Sequence, residues 1–255
     1  MSSVSLLIIF VVIAMSSLLV VSAVNQRQTR TRVISRKLGQ MKRRADELEE
    51  LAVTVDRLVN SPEIARHIND EVIDLITTMI QLDPTSQTLP VLRYNAEQLA
   101  EEMRNPARHR EIYRLQESDA NIARTLYQLT DTGRILRRRQ AAGKLEVAQM
   151  EAFIGDLSWT HLMVGVVSHT IQGHKSMARG DVLRAYAFYK KAQQVALQSS
   201  TNDDRRHALI RELSELMSGQ RKFLSPVLMP ETEFNPPAET DTAKMKAEAL
   251  DQSAI

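Results

Sequence analysis

The chain has 255 residues, Lys+Arg 33 against Asp+Glu 31, a formal net charge of +2 and no cysteine. Zero cysteine excludes a disulfide scaffold, a zinc ribbon, a thiol nucleophile and Cys-ligated iron–sulfur clusters. Aromatic residues make up 4% and there are eight glycines, few for a β-protein or a Gly-loop enzyme; Leu, Ala, Glu, Arg and Gln dominate instead, so the predicted fold class is all-α.

Residues 5–24 carry no charge. Twenty helical residues at about 1.5 Å rise cover roughly 30 Å, the thickness of a bilayer's hydrocarbon core. A basic run follows: Arg27, Arg30, Arg32, Arg36, Lys37, Lys42, Arg43 and Arg44, with no acid before Asp46. Residues 1–24 read as a single transmembrane anchor, and the charge bias predicts N-terminus out and the rest in the cytoplasm. The expected site is a bacterial inner membrane. The rival reading is a signal peptide cut after Ala23. It lacks a basic start, its apolar run is long, and the basic residues that follow oppose export. A buried core helix is disfavoured by uninterrupted apolarity. The eight cations serve as a topology signal and as a contact for anionic lipid headgroups. A nucleic-acid arm would want interleaved aromatics, so no specific nucleic acid is expected.

Ile34, Leu38, Met41, Ala45, Leu48, Ala52, Val55 and Val59 alternate steps of four and three, an a/d seam. No proline falls between the anchor and residue 60, so one rod is expected across both. The seam has two readings: a homodimer through Ile34–Val59, or docking on the chain's own helices. Leu51 and Leu58 widen the stripe and favour at least partial docking. Asn60-Ser61-Pro62-Glu63 restarts a helix with a cap, Pro at the first position and an early acid. Ile64, Ile68, Val72, Ile76 and Met79 line its face until Asp83-Pro84. A loop is predicted over 85–90, a helix over 91–104 and a long helix over 107–141. The last ends in Arg134, Arg137, Arg138 and Arg139, with Lys144 following, charges that suit a helix C-terminus. Gly143 reads as a break, and 144–178 as another helix, with Trp159 as a packing residue. Asn202-Asp203-Asp204 caps a final helix carrying Leu209, Leu213 and Leu216. From Lys222 the prolines at 226, 230, 236 and 237 and an acidic end read as a disordered tail. The expected domains are therefore 1–24, 25–60, 61–221 and 222–255.

Residues 180–192 begin Gly180-Asp181 and continue through Ala185, Tyr189 and Ala192, with Gly173 in the preceding helix. This pattern resembles one hairpin of a tetratricopeptide repeat, over about residues 166–199. The likeness assigns Gly180-Asp181 to the turn and Gly173, Ala185 and Ala192 to close helix approach. His169, Gln172 and Ser176 stand where that family favours Trp, Leu and Tyr. Glu146 and Ser214 occupy the turn positions one repeat, about 34 residues, away, so the unit has no companion. The resemblance implies a surface for peptides or protein partners, without catalysis, and makes Gly173, Gly180, Asp181, Ala185, Tyr189 and Ala192 the expected protein-binding residues.

His161, His169 and His174 share one predicted helix at spacings of 8 and 5, where 3 or 4 would align two ligands. His67, His109 and His207 are expected at the surface. Gly173-His174-Lys175-Ser176 breaks the order of a phosphate loop, and no strand precedes it. The expectation is no metal, no cofactor and no catalytic site. The sequence reading is thus a membrane-anchored cytoplasmic helical scaffold that recruits a protein partner. A dimeric coiled-coil signalling rod and an exported helical binding protein are its rivals.

Overall fold

A computed structural model describes residues 3–105, 107–229 and 231; for 3–14, 16–24 and 27 it describes the backbone alone. The described residues are all-α, with no strand. Seven helices follow in order: α1 Ser3–Leu58, α2 Pro62–Leu82, α3 Thr88–Arg104, α4 Asp119–Ala141, α5 Val147–Ala178, α6 Val182–Gln198 and α7 Arg205–Met217. Among the described residues no helix is long and apolar enough to cross a membrane. The segment expected as the anchor, 5–24, is helical backbone within α1, but apart from Met15 its side chains lie outside the described residues. So does the tail beyond Glu231.

The chain divides into two compact units. The first holds α1 to Glu49, α2 from Asp70 and α3 to Leu99. Its buried apolar side chains are Ala45, Leu48, Val72, Ile76, Met79, Leu89 and Ala96. α3 begins three residues before the expected start, so Thr88–Pro90 are helix and not loop. Pro90 falls in the first turn, where backbone N–H groups have no helical acceptor and a missing one costs nothing. The seam of α1 changes character along its length. Ile34 is 38% exposed and Val33 58%, whereas Ala52, Val55 and Val59 are wholly buried. From Ala45 onward the seam, together with Leu51 and Leu58, is covered inside the chain, as the docking reading requires.

The second unit comprises residues 50–69 and everything from Ala100. α5 is its centre. Every residue from Leu162 to Ile171 is buried, the mark of a helix surrounded on all sides. It packs against α4 and α6, and α6 against α7. One core joins Trp159, Leu162, Met163 and Val166 of α5 to Tyr189 and Ala192 of α6 and to Leu209 and Leu213 of α7. Leu224, Leu228 and Met229 belong to the same core. The packed chain therefore runs past residue 221, because these apolar side chains outweigh Pro226 among them.

The long helix expected over 107–141 starts only at Asp119. Residues 107–118 are not helical, and a set of tertiary bonds explains why. The Arg110 guanidinium donates to the carbonyls of Asp56, Val59 and Asn60 at 2.6, 2.7 and 2.8 Å. The Arg108 guanidinium pairs with the Asp56 carboxylate. The Tyr113 N–H donates to the Arg57 carbonyl at 2.9 Å, and the Gln116 N–H to Ser168 Oγ at 2.9 Å. Ser118 then caps α4 by accepting from the Asn121 N–H.

Arg114 closes this segment onto the end of the packed chain. Its Nε and Nη2 donate to Glu231 Oε1 and Oε2 at 2.7 and 3.0 Å, with side chains 6% and 1% exposed. Glu231→Ala leaves a buried guanidinium without its partner. The expected loss is about 3–5 kcal/mol in urea unfolding, while the paired replacement Arg114→Met with Glu231→Leu recovers most of it. A loss under about 1 kcal/mol for the single variant would remove Glu231 from the core.

Candidate functional site

The hairpin of α5 and α6 is set by two close approaches. A Cβ on Gly165 would meet Val195 Cγ1 at 3.1 Å, and a Cβ on Gly173 would meet Tyr189 Cε1 at 2.3 Å. The second distance is less than any carbon pair tolerates, so Gly173 is the floor on which the Tyr189 ring lies. The turn between the helices needs Gly180, whose φ of +80° disfavours residues with a Cβ. Asp181 then caps α6, its Oδ1 accepting the Arg184 N–H at 3.0 Å.

These contacts place the expected protein-binding residues. Gly173, Ala185, Tyr189 and Ala192 are interior packing residues. Gly180 and Asp181 are exposed at the turn. The face of the hairpin is filled by α7 and by Leu224, Leu228 and Met229, which share its core, so that face is not open where these residues lie.

What opens to solvent is a cavity of about 850 Å³ beside the hairpin. The last turns of α5 contribute His174, Lys175 and Met177, and its C-cap contributes Arg179. Tyr189 comes from α6. Leu216 of α7, Arg221, Lys222 and Phe223 complete the wall. Gly219, at φ +74°, turns the chain out of α7 towards that wall.

His174 is the polar centre of the cavity. Its Nδ1 lies 2.8 Å from the Tyr189 hydroxyl, and the Phe223 ring meets it edge-on at 5.3 Å. Its Nε2 is enclosed and has no hydrogen-bond partner among the described residues. Burial pushes its pKa down to about 4, so the ring is neutral at pH 7. Burial likewise raises the Tyr189 phenol above its ordinary value. His169, on the same helix, is lowered by burial and bonded to Gln172 Oε1 at 3.1 Å.

A second cavity, of about 490 Å³, lies between α4, α5 and the end of α6, with Gly133, Arg137, His161 and Ser199 among its walls. Trp159 is a packing platform: the Arg205 guanidinium stacks 4.2 Å above its ring, held there by Asp203. That pairing pulls the Asp203 carboxyl below its usual range. His67 is buried against Phe153 at 5.6 Å between rings, not at the surface as expected. The hydrophobic face of α2 carries it inward. Among the described residues no group of three or more His, Asp or Glu is placed to hold a metal ion.

The basic stretch is spread along α1. Arg30, Arg32, Arg36, Lys37, Lys42 and Arg43 are exposed, and Arg44 is half-buried and paired with Glu47 at 3.2 Å. Arg27's side chain lies outside the described residues. At the far end of α4 the basic cluster is divided: Arg134, Arg137 and Arg138 are exposed while Arg139 is buried.

Sequence reasoning did not assemble the cavity. Lys175 and Arg179, one turn apart on a helix end, were a usable signal. Phe223, Leu224 and Leu228 were another, because a solvated tail has little use for them. Comparison with family models, with curated proteins and with solved structures gives no match for this chain.

Two outcomes check this geometry. Gly173→Ala forces the Tyr189 ring to move against its His174 bond and should cost about 1–3 kcal/mol; Tyr189→Leu in the same chain should recover part of that loss in a double-mutant cycle. The second concerns pH. The unfolded chain protonates His174 near 6.5 and the folded chain only near 4, so below pH 6.5 the unfolded state binds the extra proton. The His174 contribution to stability is fully present above pH 6.5 and is lost as pH drops towards 4. His174 alone should remove about 2 kcal/mol between pH 7 and 4.5, and the urea midpoint of His174→Gln should depend less on pH across that range.

Proposed function

We propose that this protein is a single-pass membrane-anchored helical scaffold, with its domain at the cytoplasmic face of a bacterial inner membrane, that recruits a protein partner to that face. The observation that carries the reading is the uncharged segment 5–24 followed without an acid by eight cations, on a helix, α1, that runs unbroken from Ser3 to Leu58. The charge bias supports the orientation. The hairpin's likeness to a tetratricopeptide unit supports a binding role and not catalysis.

The continuity of α1 refines which cations would meet lipid. At about 1.5 Å per residue, Arg30 and Arg32 stand about 9 and 12 Å beyond Val24 along the axis, and Arg44 about 30 Å. The interfacial layer is roughly 5–7 Å deep and the screening length about 8 Å. On a helix standing along the membrane normal, Arg27, Arg30 and Arg32 reach the headgroups. Arg36, Lys37, Lys42 and Arg43 then face the cytoplasm on a stem, available to an acidic partner.

The signalling-rod reading keeps one supporting observation. Val33 and Ile34 are exposed on α1. A second copy could cover them, through the stretch to Met41 alone.

Topology tests the proposal. A C-terminal tag should resist external protease in cells stripped of their outer barrier, become sensitive on lysis, and stay with membranes at high pH. Digestion from outside, or release as a soluble shortened chain, would overturn it.

A further inference from the structure

We propose that the cavity beside the α5–α6 hairpin binds a small anionic amphiphile, an apolar body headed by a carboxylate, with the head held by Arg179, Lys222 and His174 Nε2. The inference stands apart from the scaffold reading and holds for either membrane topology.

Size and lining come first. About 850 Å³ is within the range of small-molecule sites. Met177, Ala178, Leu216 and Phe223 give an apolar wall. Every ionisable side chain in the lining other than His174 and Tyr189 is a cation: Lys175, Arg179, Arg221 and Lys222. Arg221 is already engaged by Glu215 at 3.0 Å and by Glu212 at 3.6 Å. No carboxylate pairs with Arg179 or Lys222 among the described residues, and both are exposed at the rim. Cations on one side of an apolar cleft, with no acid among the described lining residues, favour a ligand of opposite charge.

His174 adds the second, independent feature. Its ring is neutral, so one nitrogen carries a proton and the other accepts. We take the tautomer in which the Tyr189 hydroxyl donates to Nδ1, which puts the proton on Nε2, an enclosed nitrogen without a partner among the described residues. Leaving such a donor unmatched is costly, and a ligand oxygen would match it. A cationic ligand would be repelled by the rim, and a purely apolar one would leave Nε2 unmatched. The edge-on Phe223 ring, 5.3 Å from the imidazole, sets the apolar body next to the polar head.

The probe is radiolabelled dodecanoate, in equilibrium dialysis against the full chain in phosphatidylcholine nanodiscs with empty nanodiscs as the blank. Saturable binding of one dodecanoate per chain is expected above the blank. Arg179→Glu with Lys222→Glu should weaken it at least tenfold, and both positions are surface residues whose replacement leaves the fold intact. Dodecan-1-ol should displace the probe poorly. Binding no greater than to empty discs, equal affinity in the double variant, or displacement by the alcohol as effective as by unlabelled dodecanoate would each overturn the proposal.

Discussion

Helix-end carbonyls lack a helical N–H to receive, and Arg110 donates to one in the last turn of α1, Asp56, and to the next two beyond the helix, Val59 and Asn60. One guanidinium closing three carbonyls fixes where the helix stops. It also fixes where the next extended segment must lie, because Arg108, Tyr113 and Arg114 are within six residues of it. From that segment follow the placement of Ser118 as the α4 cap, the bond from Gln116 to Ser168 on α5, and the burial of Glu231. A helix end that would otherwise be solvated becomes the fixed edge of a domain.

The α5–α6 hairpin rests on a different constraint, steric and not electrostatic. Gly165 and Gly173 remove side chains where the helices come closest, and what enters the space is not backbone but the Val195 and Tyr189 side chains. Tyr189 then links packing to chemistry. Its ring occupies the place of a Gly173 side chain, while its hydroxyl orients His174 in the cavity wall. Position 173 therefore governs the cavity without lining it.

The sequence was most legible where structure is local. The restart at Pro62, the break at Gly143, the Gly180-Asp181 turn and the apolar faces of α2 and α7 depend on neighbours within a few residues. Residues 107–118 are not helical because their helical spacing is overridden by bonds to partners fifty or more residues away, a cost and gain that no local window records. Residues 222–229 differ for the opposite reason: Pro226 breaks the helical pattern, yet Leu224, Leu228 and Met229 carry the chain into the core. The cavity was hidden because its walls come from three separated stretches. The small residues of the hairpin were visible as small, but nothing in their spacing said which ring they would receive.

The pairing of Arg114 with Glu231 spans 117 residues, and synthesis is vectorial. At about 5–20 residues per second, roughly 6–23 s separate the appearance of the guanidinium from that of its carboxylate. Through that interval the segment clamped to α1 can be complete while its innermost charge has no counter-ion. The second unit thus closes its innermost ion pair only after Glu231 has been synthesised.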